Sequence, residues 1–519
     1  MKRVVWVLLL FVALVPCGFA HVPGDYDLPQ LGQAGAAAIS QAELDEIGDD
    51  ILAQLRRHNL ILQDPLVTDY IRDVGHRIAS HSDSPGTNVH YYVMATPELN
   101  SFALPGGNIF IFTGLLLETD NENELAGVIA HETVHVTQHH IARQVADSEG
   151  TGWKSLAGLL AGLILAAETG QPEVAMAATM GTQAALLQHR TNFTRHQEYE
   201  ADRIGIGFMA RAGYDPDGMA QLFQKFEMLS RGELKPPAFL LDHPLDQVRI
   251  TEASQRARQL PDISHPNSRS YLLMRARARV LVADHPAEAL AYFNGIDTSK
   301  LSTTARNAID YGRALCLIRM HRADEALALL DPLLSQHPDV VAYYLGVASA
   351  QLKRDQFGDA LATLSHAASV FPDSLAVKID HAQALMAADR PADAKNVMEA
   401  AAITNPHDPV VLQLLAQAAS AAGNTGEGRY YLSQVYQMNG QLVSAINQMQ
   451  IALNNPHIND YEQARYRARL DDLKDARMAQ KKNARSHLHF GVRRGPALPY
   501  PPMTPFERRM QRLDLDFQD

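Results

Sequence analysis

The sequence predicts an α-rich α+β domain with a small sheet, followed by an all-α solenoid of helical repeats. Three observations carry that prediction. One helical stretch contains Ala130-His131-Glu132-Thr133-Val134-His135-Val136, and a second carries Glu198-Tyr199-Glu200-Ala201-Asp202. Beyond them two ladders share one period: Ala326, Ala360 and Ala394 are 34 residues apart, and so are Pro338, Pro372 and Pro406. A chain of 519 residues is too long for one core, so roughly two to four domains are expected.

Residues 1–20 read as a secretory leader, with Lys2 and Arg3, the apolar run Val4 to Val15, and small residues at Gly18 and Ala20. Cleavage after Ala20 leaves His21 first, and the run is shorter than the roughly 20 residues that span a bilayer. Cys17 raises the alternative of a lipoprotein, which Pro16 opposes. Removing the leader leaves Cys316, a lone thiol on an apolar helical pattern, and therefore a core residue with no intrachain disulfide. The formal charge of -12 favours solubility and argues against a nucleic-acid partner.

From Gln41 to about His81 the pattern is helical, with Ile51, Leu55, Ile61, Leu62, Val67 and Ile71 among its apolar positions. Val89 to Val93 and Asn108 to Thr113 alternate as strands do, bounded by Pro85-Gly86 and Pro105-Gly106-Gly107. The first motif helix starts at Asn121, an N-cap with Glu124 three residues on as in a capping box. On that helix His131 and His135 lie one turn apart, roughly 40° in rotation and about 6 Å in rise, so both reach one metal ion. Glu132 is rotated aside, where it can hold a water and take its proton. A catalytic zinc site takes three protein ligands and leaves one position for water. Glu198 is the candidate third ligand, and Asp202, one turn further on, is placed to accept the free ring N–H of a ligating histidine. The metzincin spacing fails, because Gln138 and Ile141 stand where Gly and His are needed.

The pair HETVH and EYEAD resembles the M48 family of gluzincin metallopeptidases, and the stretch from Asn100 to Phe110 resembles the family's strand ahead of the zinc helix. With a leader in front and repeats behind, the chain is similar to exported, repeat-bearing members of that family. The resemblance implies one zinc ion per chain, ligands His131, His135 and Glu198, Glu132 as general base, and a gluzincin-type domain over 21–259. It also implies a periplasmic endopeptidase, peripheral to the outer membrane, that degrades misfolded or stalled outer-membrane proteins and assists their assembly. In the family the strand Asn108 to Thr113 lies along the cleft edge, where an extended peptide can add to the sheet.

Between the motifs, Leu156 to Ala167 and Val174 to Leu187 are apolar runs too short to cross a membrane, and they read as a helical hairpin over the site, with contact to a membrane surface or client as the alternative. Further on, Leu241-Asp242-His243-Pro244-Leu245-Asp246-Gln247-Val248-Arg249 resembles a His-Pro motif of the same proteins, with its arginine six positions after the histidine. His243 has three open roles: a donor to the developing oxyanion, a fourth nitrogen ligand that shuts the enzyme off, or a structural residue. Arg249 either steadies the oxyanion or pairs with a surface carboxylate. His139, His140, His189 and His196 are assigned no metal role; no glutamate follows His139 as Glu132 follows His131.

Residues 260–268 read as a linker and 269–475 as a tetratricopeptide array, with small residues where helices touch and Pro where a pair ends. Leu345-Gly346 sits where the repeat prefers that dipeptide, and the units at Arg269 to Asp297 and Asn424 to Pro456 are irregular ends. Such an array presents a concave surface for a partner, here clients or the barrel-assembly machinery by resemblance. The basic, Pro-rich segment 476–519 is expected to be disordered. A competing class is a chaperone or assembly scaffold whose zinc site is latched and rarely proteolytic.

Overall fold

The computed structural model describes residues 40–147, 195–232, 238–456 and 458–489. The leader, the apolar runs within 156–187 and the tail beyond residue 489 lie outside these residues. Ser40 opens helix α1 (Gln41–Arg57) with a reciprocal cap: its Oγ accepts from Glu43 N at 3.2 Å, and the Glu43 carboxylate accepts from Ser40 N at 2.9 Å. The helical stretch expected from 41 to 81 is broken. Asn59 turns the chain at φ 54°, and Asp64 caps α2 (Pro65–Ser80), whose leading proline fills a position that needs no N–H bond.

Strands β1 (His90–Met94), β2 (Ser101–Leu104) and β3 (Asn108–Phe112) form one sheet in the order β1-β3-β2. β1 runs parallel to β3 with Tyr92 opposite Phe110, and β2 runs antiparallel with Phe102 opposite Phe110. Gly106 and Gly107, both at φ 75°, make the β2–β3 turn, and a Cβ on Gly107 would stand 2.2 Å from the Asn88 carbonyl oxygen. This order corrects the expectation that Asn108 to Thr113 lines the cleft. β3 is the central strand, paired on both sides and buried throughout, so β1 and β2 are the edges. Thr113 has already left the strand to begin α3 (Thr113–Glu118).

Helix α4 (Glu122–Thr137) carries the first motif, and every one of its residues is buried. Asn121 Oδ1 accepts from Glu124 N at 3.0 Å, but the Glu124 carboxylate accepts from Asp120 N and from the Asn121 side-chain amide rather than from the Asn121 backbone N–H, so the expected box is displaced by one position. His139, at φ 54°, ends α4 and turns the chain into α5 (His140–Asp147). Helices α6 (Arg195–Arg211) and α7 (Asp217–Gly232) pack on α4, followed by the short α8 (Phe239–Asp242) and by α9 (Gln247–Ala257), which Asp246 caps.

The array follows as antiparallel pairs: α10 (Arg269–Val282) with α11 (Pro286–Gly295), α12 (Thr303–Arg319) with α13 (Ala323–Gln336), and α14 (Val341–Lys353) with α15 (Phe357–Val370). Then come α16 (Leu375–Ala387) with α17 (Pro391–Thr404), α18 (Pro409–Ala421) with α19 (Thr425–Met438), and α20 (Leu442–Leu453) with α21 (Asp460–His489). The ladder residues Ala326, Ala360 and Ala394 are fully buried, as is Cys316. α21 corrects the expected tail boundary, because it remains helical to His489. Between 476 and 489 there is no Gly or Pro, and Ala, Arg, Gln, Met and Lys all favour helix.

One apolar cluster runs unbroken from Leu115, Leu125 and Phe208 into Tyr271, Tyr311 and Leu330 of the array. Polar clasps reinforce the junction. The Glu122 carboxylate accepts from Tyr70 Oη, Ser268 N and Ser268 Oγ, each at 2.9 Å. Arg277 grips both oxygens of Asp64 at 2.7–2.9 Å. At the far end of the array, Arg57 donates to the Asn439 carbonyl at 3.1 Å. Among the described residues no helix is long and apolar enough to cross a membrane.

Candidate metal centre

Four elements converge on one buried point: α4 brings His131 and His135, α6 brings Glu198 and Asp202, the turn after α8 brings His243, and the start of β2 brings Ser101. His131 Nε2 lies 3.0 Å from His135 Nε2 and 3.2 Å from His243 Nδ1. Glu198 Oε1 is 3.1 Å from His243 Nδ1 and 3.5 Å from His135 Nε2, and Glu198 Oε2 is 3.5 Å from His131 Nε2. Four donors about 2 Å from a zinc ion at tetrahedral angles are separated by about 3.3 Å. Separations of 3.0–3.5 Å among these groups are near that value, all four ligand atoms lie within 4.8 Å of one another, and this donor chemistry suits the ion.

The electrostatics favour a cation at this point. Burial opposes charge on His131, but its hydrogen bonds to Asp202 and Glu198 outweigh burial and raise its pKa to about 9. Burial likewise works against ionised Glu198, yet His243 and His131 hold its carboxyl well below the usual range. His135 is pushed well below the ordinary imidazole value by burial and by the charge of His131. Burial also opposes charge on His243, but Glu198 and Glu132 raise it.

Around these donors the supports are specific. Asp202 Oδ1 lies 3.0 Å from His131 Nδ1. Glu132 sits with Oε1 accepting from Ser101 Oγ at 2.6 Å, while its Oε2 is buried with no hydrogen-bond partner among the described residues. Arg249 departs from the expected surface pairing. It is 2% exposed, donates to both oxygens of Asp202 at 2.7 and 2.8 Å, lies 2.9 Å from Glu198 Oε2 and stacks over Phe223. Two buried carboxylates claim the guanidinium, so it does not pair at the surface. The Nη1 that faces Glu198 also donates to the Pro244 carbonyl at 2.8 Å, which ties the His243 turn to the centre.

Three contributors were not foreseen from sequence. Ser101 belongs to a strand whose four residues are all buried, which erases the alternation that would reveal its orientation. Asn100 donates to Asp242 at 3.0 Å and anchors the turn. His140 is fully buried, with Nδ1 2.8 Å from His135 Nδ1 and Nε2 3.2 Å from Glu200 Oε2. A histidine five residues beyond His135 gives no helical signal, because the His139 turn, rather than α4, brings the ring back. His139 and His196 are exposed, and His189 lies outside the described residues.

Comparison with known proteins bears on the same segments. The profile of Peptidase family M48 matches residues 65–257, and a Tetratricopeptide repeat profile matches residues 351–418. The chain is 32% identical over 448 residues to the beta-barrel assembly-enhancing protease of Escherichia coli (strain K12), covering 86% of this chain and 91% of that one. It is 32% identical over 454 residues to the protein of the same name in Yersinia pestis, covering 87% and 93%. A further similarity, 28% over 221 residues and 42% of each chain, is to the mitochondrial metalloendopeptidase OMA1 of Arabidopsis thaliana.

Proposed function

Because this chain belongs to peptidase family M48 and is a zinc metalloendopeptidase, we propose that His131, His135 and Glu198 hold its zinc, that Glu132 is the general base, and that His243 is a displaceable fourth ligand that keeps the centre shut. The observation that carries this reading is the buried cluster of His131, His135, Glu198 and His243, whose ligand atoms all lie within 4.8 Å of one another. A catalytic zinc site needs three protein ligands and an open position, and His243 fills the fourth.

Bound zinc supplies acidification of a water and polarisation of the scissile carbonyl. The chain's own groups do the rest. Ser101 turns Glu132 so that Oε2 is the oxygen left to accept the attacking water's proton, and the same carboxyl then passes it to the leaving amine. Asp202 accepts the Nδ1 proton of His131 and directs the Nε2 lone pair to the ion. Arg249 neutralises Asp202 and Glu198, which lie buried together. An extended substrate would pair along β2, the edge strand beside α4, in which Ser101 and Ala103 turn their backbone groups away from β3.

The substrates are misfolded or stalled outer-membrane proteins in the periplasm, and the array binds these clients or the machinery that assembles them. Support comes from the names and coverage of the relatives, the leader pattern of residues 1–20 and the repeat array. A second reading, a scaffold that seldom cleaves, is favoured by the same closed donor set. The deciding experiment is cleavage of an unfolded reporter protein by the purified chain beside Glu132→Gln and a chelator-treated sample. Cleavage lost in both controls is expected. Full activity in Glu132→Gln would reject the mechanism, and zinc-loaded wild type that never cleaves would favour the scaffold.

A further inference from the structure

We propose that His140 and Glu200 form a buried relay that holds His135 in its metal-binding tautomer and thereby sets how tightly the centre keeps zinc. The inference rests on the ligand assignment above. His135 turns Nε2 toward the other donors, 3.0 Å from His131 Nε2 and 3.5 Å from Glu198 Oε1. Its lone pair for the metal is therefore on Nε2, and its proton on Nδ1.

Facing that proton is His140 Nδ1, at 2.8 Å. The rings meet edge to face, with centroids 4.8 Å apart and planes at 76°. Only one proton fits between two nitrogens at that distance, so His140 must carry its own on Nε2. There it faces Glu200 Oε2 at 3.2 Å, an oxygen that also accepts from Arg143 at 2.9 Å. One constraint at the metal thus fixes both tautomers and ends on a carboxylate near the surface. The two histidines of α4 are supported differently: His131 contacts the carboxylate of Asp202 directly, whereas His135 reaches Glu200 through a second imidazole.

His140 is a positioning residue, and the test separates positioning from packing. Zinc affinity of the full chain would be measured by competition with a chromophoric chelator, for wild type, His140→Leu, His140→Asn and Glu200→Gln. His140→Leu removes the acceptor and should weaken zinc by about 10- to 100-fold. His140→Asn places Oδ1 where Nδ1 stood but cannot reach Glu200, and should lose no more than Glu200→Gln does, well short of the Leu variant. Equal affinity in wild type and His140→Leu would overturn the proposal, and so would an Asn variant as weak as the Leu variant, which would mean packing alone. If His140→Leu does not fold, Glu200→Gln decides: a loss of at least about threefold is expected, and unchanged affinity overturns the relay. Wild type that binds no zinc would instead defeat the ligand assignment, so the two failures are distinguishable.

Discussion

Phe239 stacks on His243, with ring centroids 4.6 Å apart and planes 22° apart, and Phe226 backs it at 5.0 Å. The turn that carries His243 is therefore seated by apolar packing as well as by its imidazole. Asp242 holds Asn100, and Phe239 N donates to the Leu99 carbonyl at 2.9 Å, next to β2. His243→Ala should raise basal cleavage of an unfolded reporter several-fold while three donors retain zinc. Cleavage that disappears with zinc still bound would assign His243 to the oxyanion instead.

Ser101→Ala should leave zinc content and thermal midpoint unchanged but lower kcat by about tenfold, equivalent to about 1.4 kcal/mol, because Glu132 loses its fixed orientation. KM should not move. Steady-state kinetics check this, and Ser101→Thr, which keeps the hydroxyl, should recover most of the rate.

Arg249→Met should destabilise the fold by about 3–5 kcal/mol, because it strands Asp202 and Glu198 without their shared cation. Denaturant unfolding of metal-free protein gives the number. A residue serving only the oxyanion would lower kcat with unfolding unchanged.

Burial works against ionised Glu200, but hydrogen bonds to His140 and Arg143 outweigh it and hold the carboxyl at about 2, below its ordinary 4.5. A depressed folded-state pKa stabilises the fold above 4.5, and that contribution is lost as pH falls toward 2. Unfolding of metal-free wild type and Glu200→Gln, compared from pH 6 to about 2, should show the wild-type advantage shrinking with acid. A constant difference would reject the pairing.

The array was legible because its period is long and redundant: Ala326, Ala360 and Ala394 repeat one packing demand in successive helix pairs. The motif helices were legible because i,i+4 spacing places His131 beside His135 whatever else the fold does. The order of the strands was not, since β2 and β3 are buried on every residue and neither exposes the polar face that marks an edge strand. Nor could spacing reveal that Arg249 faces Asp202, 47 residues away in sequence, because that pairing depends on how α9 crosses α6. The helix beyond residue 476 was missed because its charges and the later prolines were read as one segment.

Arg57 and Asn439 are 382 residues apart in sequence. The segment matched by the peptidase profile ends at residue 257, whereas the carbonyl that receives Arg57 follows about 180 residues later. At roughly 5–20 residues per second, on the order of ten to forty seconds of synthesis separate the two. His243 and Glu198, by contrast, are only 45 residues apart and emerge within the same stretch. On the proposed role of His243, the fourth ligand is made together with the residues it would close, and the contact that braces the two domains follows later.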